Sequence, residues 1–259
     1  MDLEKIITKF NIPKAANVAI HVCKLKKGKT VKEYKYLCNQ KDNVFHPASL
    51  IKLFNSYLAY LQIGKQKNPE ILRAIKESLK VSDNDALGLL VDFNSNTNSG
   101  PDLSQIQLAK FLQARGTITK YFRDKKYSKN LKLACKCFSF GPFGRDRQLI
   151  EIDGANQISL EDASKIILEI YNKSPQLLEF MKRDFKDKED VQTKFITAGI
   201  YKKAKNVFSK AGWNSKVRHD TAIFTINKQE YLMTILTKGL SKRKSLIAQI
   251  ASSLVSNLT

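Results

Sequence analysis

Apolar positions change period twice along the chain. From Asn17 to Leu25 they alternate in a β-rich run, which predicts a strand, and after a turn around Gly28 a second strand follows near Glu33 to Cys38. A short helix over Leu3 to Phe10 precedes this hairpin. From Leu50 the apolar residues recur at helical spacing, with Pro47 and Ser49 just ahead of the first turn. Helices are then predicted over Pro69 to Lys80, Ala86 to Asp92, Leu103 to Arg115, Leu160 to Tyr171 and Pro175 to Arg183. An irregular stretch from about Phe138 to Gln157, with Gly141, Pro142, Gly144 and Gly154, interrupts them. The strand signal returns over Val207 to Lys210, Thr221 to Asn227 and Glu230 to Thr237, the last two joined by a tight turn at Lys228-Gln229. Ser241 to Leu254 closes the chain as an amphipathic helix.

These elements predict an α+β fold. The hairpin and the three late strands complete one five-stranded antiparallel sheet flanked by the terminal helices, and the middle forms an all-helical lobe. The expected boundaries are about 1–48 and 206–259 for the α/β lobe and about 49–205 for the helical lobe. With 259 residues, few Gly or Pro and no linker-like stretch, 1–259 is read as one catalytic unit, and we expect a monomer.

Composition narrows the function classes. No run of about 18 apolar residues is present, so no membrane-spanning helix is expected. The stretch from Met1 to Ile6 carries no basic region followed by an apolar one, so no export signal is visible; a complete chain would be cytoplasmic. Lys and Arg number 45 against 24 Asp and Glu, a net charge of +21, which favours non-specific contact with polyanions. Lys24, Lys26, Lys27, Lys29, Lys32 and Lys35 form one dense stretch, and Lys120, Arg123, Lys125, Lys126, Lys129, Lys132 and Lys136 another. No base-reading motif accompanies them. Cys135 and Cys137 lack further ligands at zinc-like spacing, so no metal and no cofactor is expected. Cys23 and Cys38 lie on the two arms of the hairpin, as a disulfide or as buried free thiols.

Three short motifs carry the chemistry. Ser49-Leu50-Ile51-Lys52 sets a hydroxyl and an amine one helical turn apart at a helix start, where a lysine of depressed pKa can deprotonate the serine and exposed amides can receive an oxyanion. The same spacing at Ser241-Lys242-Arg243-Lys244 sits among lysines at the predicted start of the closing helix and reads as a solvated helix end. Ser82-Asp83-Asn84 falls between two helices, where each residue type is also a good cap. Lys210-Ala211-Gly212 ends a strand.

In this order and on these elements the motifs resemble the S-x-x-K, S-D-N and K-T-G set of class A β-lactamases and the related penicillin-binding D-Ala-D-Ala peptidases. The resemblance rests on Pro47-Ala48-Ser49-Leu50-Ile51-Lys52-Leu53, on Val81-Ser82-Asp83-Asn84-Asp85-Ala86, and on Ser209-Lys210-Ala211-Gly212-Trp213 leading to Asp220-Thr221-Ala222-Ile223. It implies a β-lactamase-like fold, an acyl-enzyme mechanism, and a β-lactam or peptidoglycan-type peptide substrate. Such proteins are usually periplasmic or extracellular. By the same resemblance Ser49 attacks the acyl carbonyl and Lys52 helps deprotonate it. Ser82 passes a proton to the leaving nitrogen, Asn84 binds the substrate amide, and Lys210 sits near Ser82 and the substrate carboxylate. The amides of Ser49 and Trp213 form the oxyanion hole beside Gly212, and Arg218 stands where some members bind a carboxylate.

Three departures accompany the resemblance. Ala211 replaces the usual Thr or Ser. Only 33 positions separate Ser49 from Ser82, a short interval for the family. The Phe138 to Gln157 stretch, in the place of the omega loop, has no Glu-x-x-Leu-Asn to supply a deacylation base. β-Lactamase turnover, peptidase turnover and a non-catalytic module holding a wall polymer all stay open. His21 is expected to be structural, His46 to pack or to line the cleft, and His219 to enter a strand.

Overall fold

Local sequence signals set most element ends. In a computed structural model of the protein, which describes residues 1–38, 43–64, 68–187 and 189–258, the chain runs α1 (Leu3–Thr8), β1 (Asn17–Lys26), β2 (Lys29–Cys38), a 3-10 turn (Ala48–Leu50), α2 (Ile51–Ile63), α3 (Pro69–Lys80), α4 (Asn84–Ser95), α5 (Gln105–Asp124), α6 (Gly144–Asp153) and α7 (Leu160–Lys173). It continues through α8 (Pro175–Phe180), a second 3-10 turn (Val191–Lys194), α9 (Ile196–Ile200), β3 (Lys205–Trp213), β4 (Val217–Ile226), β5 (Gln229–Lys238) and α10 (Leu246–Val255). Pro69 opens α3 behind Asn68, whose side chain accepts from the amides of Glu70 and Ile71. Ser159 and Asp162 close a reciprocal capping box on α7. Asn227 and Lys228, both at positive φ, form the two-residue hairpin turn between β4 and β5, one position earlier than the pattern suggested.

The sheet unit comprises residues 1–50 and 159–259. Its five antiparallel strands lie in the order β2-β1-β5-β4-β3. Val18, Ile20, Val22, Ala222, Phe224, Met233 and Ile235 share one face, which packs on apolar residues of α1, α9 and α10. Each fully buried Ile, Leu or Phe there contributes about 1.5–3 kcal/mol of transfer free energy. The opposite face meets α7, whose Ile166, Ile167 and Ile170 are buried. The lobe boundary therefore falls at Ser159 and not near 205. Periodicity reveals that α7 and α8 are helices but is silent on which surface covers their apolar sides, and it does not mark the short α9.

The helical unit comprises residues 51–158. Its α2 packs on α3 and α4, and Phe54, Phe122 and Tyr127 form an edge-to-face cluster with ring centroids 5.2–5.8 Å apart. A second cluster holds Leu108, Phe111, Ala134, Cys135 and Leu149. Fully buried Arg115 donates to Asp92 at 2.7 Å and to Asp146 at 3.2 Å, and Lys136 also reaches Asp92. Such a buried network is costly to break, because a lost partner leaves an uncompensated charge.

Several expectations need correction. The stretch expected to be irregular over 138–157 contains α6. The closing helix begins at Leu246, so Ser241 to Lys244 lies in turns ahead of it. Cys23 pairs across the hairpin with Glu33, and Cys38 with Val18, so the two thiols do not face each other and form no disulfide. No helix among the described residues is long and apolar enough to cross a membrane.

Candidate active site

The motif residues divide between the two units: Ser49, Lys210, Gly212, Trp213 and Arg218 belong to the sheet unit, and Lys52, Ser82 and Asn84 to the helical unit.

In the sheet unit a tight turn presents Ser49, which is half-buried. Ala48 is held at φ +46°, a left-handed conformation that costs an alanine about 1–2 kcal/mol. Its amide donates to His46 Nδ1 at 3.1 Å, and the Leu50 amide donates to the Pro47 carbonyl at 3.1 Å. His219, fully buried on β4, steadies this turn from below. Its Nε2 donates to the His46 carbonyl at 2.9 Å and its Nδ1 accepts from the Thr237 amide at 3.1 Å, which makes it a neutral ring of defined tautomer. Burial pushes its pKa down to about 4. Gly212 brings β3 against the same turn. A Cβ there would stand 2.7 Å from the Ser49 nitrogen and 2.9 Å from that of Leu50, so only glycine allows this approach.

Lys210 is fully buried. Its Nζ donates to Gln192 Oε1 at 2.9 Å and to the Ala211 carbonyl at 2.7 Å, and Gln192 Oε1 also accepts from the Ala211 amide. Gln192 was missed by sequence reasoning: it lies in a short 3-10 turn with no apolar period to flag it. The Ala211 side chain is part of the apolar cluster beneath the sheet. Trp213 ends β3 partly exposed, its ring 5.2 Å from that of Phe195. Arg218 follows on β4, where alternation gives it the face shared with Ala211, opposite Lys210, and its Nε donates to the Ser241 carbonyl at 2.7 Å.

In the helical unit the Ser82-Asp83-Asn84 junction splits its work residue by residue. Asp83 is the N-cap of α4, its Oδ1 accepting from the Ala86 amide at 2.6 Å. Ser82 takes φ +65° after the end of α3. Ser82 and Asn84 are thereby turned to Lys52, whose Nζ donates to Asn84 Oδ1 at 2.7 Å and to Ser82 Oγ at 3.3 Å. Lys52 is fully buried, and desolvation lowers its pKa below the usual lysine range, only partly opposed by Asp83 and Cys137. An amine made easier to deprotonate and aimed at a hydroxyl is equipped for proton transfer.

The acids of the α6 region are engaged elsewhere. Asp146 accepts from Arg115 and Ser99 rather than from its flanking arginines, Glu151 takes both its bonds from Arg147, and Asp153 pairs with Lys132.

A family model described as "Beta-lactamase enzyme family" matches residues 58–258. That span holds Ser82, Asn84 and Lys210 and begins beyond Ser49 and Lys52. No curated protein matches the chain in sequence. Among solved structures, the chromosome-encoded beta-lactamase of Vibrio parahaemolyticus is 15 % identical with a TM-score of 0.69, the match covering 100 % of this chain and 99 % of that one. PBP-A is 17 % identical with a TM-score of 0.65, covering 99 % and 95 %. A variant of PBP-A solved as an acyl-enzyme complex with penicillin G is 16 % identical with a TM-score of 0.64, over the same shares of the two chains. At these identities the structures speak for the fold, and the family model for the lineage. The chain belongs to the beta-lactamase enzyme family, within the penicillin-recognising serine hydrolases.

Proposed function

We propose that this protein forms an acyl-enzyme at Ser49 with β-lactams or acyl-D-Ala-D-Ala-like peptides. The observation that carries the reading is the buried Lys52 amine, its pKa lowered by burial and its Nζ held by Ser82 and Asn84. In this reading Lys52 takes the proton of the Ser49 hydroxyl as its Oγ attacks the acyl carbonyl. The carbonyl oxygen gains the negative charge and is received by the amides of Ser49 and Trp213. When the carbonyl–nitrogen bond breaks, Ser82 passes a proton to the leaving nitrogen and refills from Lys52. Asn84 and Lys210 orient the substrate through its amide and carboxylate.

Incubation with a fluorescent penicillin, followed by intact mass and peptide mapping, tests the proposal. One adduct on the Ser49 peptide supports it. An adduct elsewhere, or none at millimolar drug on folded protein, would favour a non-catalytic module that keeps the fold.

A further inference from the structure

Away from the motif residues, the pairing of β1 with β2 brings together three side chains that are ordinary metal ligands. His21 Nε2 lies 3.0 Å from Cys23 Sγ and 3.0 Å from Glu33 Oε2, and the three ligand atoms all fall within 4.8 Å of one another. His21 and Cys23 are buried, while the Glu33 side chain is half exposed and opens the cluster to solvent. We propose that His21, Cys23 and Glu33 form a binding site for a zinc-like dication, with the fourth coordination position open to water.

The geometry separates this from a nucleophilic triad. A Cys-His-Glu triad needs thiol and carboxylate on opposite ring nitrogens, so that one is deprotonated while the other holds the ring. Here both meet Nε2. The other nitrogen, Nδ1, is 2.9 Å from Ser164 Oγ, and the single Ser164 proton already has two acceptors in reach, the Leu160 carbonyl and Thr234 Oγ1. With the proton on Nδ1 and donated to Ser164 Oγ, Nε2 offers its lone pair to a metal. That is the arrangement in which a neighbouring oxygen orients a metal-bound histidine. Without a metal, Nε2–H can instead donate to Glu33 Oε2 at 3.0 Å, and an arriving cation takes the place of that proton.

Dimensions agree. Ligand atoms about 2.0–2.3 Å from a tetrahedral zinc are about 3.3–3.6 Å from each other, so the present contacts need open by only about 0.5 Å. On binding, the Cys23 thiol gives its proton to water, and the thiolate and carboxylate together neutralise the dication. Lys35, 3.6 Å from Glu33 Oε2, is the competing cation; it is itself partly exposed and can turn to Glu161, 3.9 Å away. The consequence is mechanical. β2 is the edge strand of the sheet and mostly exposed, and a metal bridging Cys23 and His21 of β1 to Glu33 of β2 would clip that edge in place.

The test is titration of the full chain with Co²⁺ and Zn²⁺ alone. Co²⁺ should give one thiolate-to-metal charge-transfer band at one equivalent, which Zn²⁺ displaces, and a hundredfold excess of Zn²⁺ over Kd should raise Tm by roughly 5 °C. Cys23→Ser should remove the band and weaken binding by at least about 100-fold, and Glu33→Gln by at least about 10-fold. A triple variant, Cys38→Ser, Cys135→Ser and Cys137→Ser, should keep the band. No band on folded protein, a band that survives Cys23→Ser, or one lost in the triple variant overturns the site. Should Cys23→Ser fail to fold, Glu33→Gln, on the exposed strand, decides alone by its loss of affinity. None of these readouts depends on acylation at Ser49.

Discussion

Gly212 and Ser49 touch backbone to backbone: a Cβ built on Gly212 would lie 2.7 Å from the Ser49 amide nitrogen, closer than real Cβ contacts come. Strand β3 thus acts as the floor of the turn that carries Ser49, and the position of that amide depends on a side chain being absent. Gly212→Ala should push the turn away. Overpacking of this kind costs about 1–3 kcal/mol of stability, and displacing a proposed oxyanion donor should slow acylation by roughly 10²-fold. Stopped-flow labelling with fluorescent penicillin, at a temperature where the variant is folded, measures both effects. An unchanged acylation rate would sever Gly212 from the chemistry.

Replacing Lys52 with Met separates chemistry from packing. Met fills nearly the same volume, and removing a buried amine relieves its desolvation, so thermal stability should hold or rise. Acylation should nevertheless slow by roughly 10² or more, the usual contribution of a general base. A variant that is stable and acylates at the wild-type rate would assign the base role elsewhere.

What could be read from the chain follows from which forces are local. Asn68 with Pro69, and Ser159 with Asp162, announce helix starts within four residues, and both ends were legible. Ser82-Asp83-Asn84 was legible as a motif, but not its division of labour: that Asp83 caps α4 while Ser82 and Asn84 face Lys52 depends on the left-handed turn at Ser82. α6 escaped because only Gly144, Asp146 and Leu149 of its residues are buried, leaving no apolar period to see. The His21, Cys23 and Glu33 cluster escaped for a sharper reason. A bulge between Lys24 and Leu25 shifts the hairpin register by one, setting Cys23 opposite Glu33; without it Cys23 would face Lys32, and Glu33 would take the other side of the sheet. Gln192 reaches Lys210 through tertiary folding alone.

Two adjacent buried groups give opposite pH slopes. His219, pushed down to about 4, is protonated in the unfolded chain but not in the folded one between pH 4 and 6.5, so its contribution is full above 6.5 and lost as pH falls toward 4, a difference of roughly 3 kcal/mol. Asp220, pushed up to about 7 by burial, keeps its proton in the folded chain while the unfolded one loses it. Its contribution is full below about 4 and lost as pH rises through 7, roughly 4 kcal/mol. The two slopes largely cancel between pH 4 and 6.5. Asp220→Asn removes one of them. The stability difference between variant and wild type, from urea unfolding at several pH values, should therefore move in the variant's favour as pH rises from 4 to 7. A difference that stays flat across that window would mean Asp220 titrates normally.

The fate of the acyl-enzyme is where this chain departs most from an efficient β-lactamase. Hydrolysing a serine ester quickly needs a base that activates water, and class A enzymes use an omega-loop glutamate. The corresponding stretch here has no Glu-x-x-Leu-Asn, and its acids are committed: Asp146 to buried Arg115 and Ser99, Glu151 to Arg147, and Asp153 to Lys132. A carboxylate already facing a cation must give up that contact before it can receive a proton from water. Penicillin should therefore acylate the protein readily and leave slowly, giving a long-lived adduct by intact mass and little steady-state nitrocefin hydrolysis. That outcome would set the protein beside the penicillin-binding peptidases in behaviour. Turnover of nitrocefin at tens per second would instead demand a working deacylation base. Asp146→Asn, Glu151→Gln and Asp153→Asn, assayed singly, would then show whether one of the three leaves its ion pair to act, or whether all three are bystanders and the water is activated by the Lys52 amine itself.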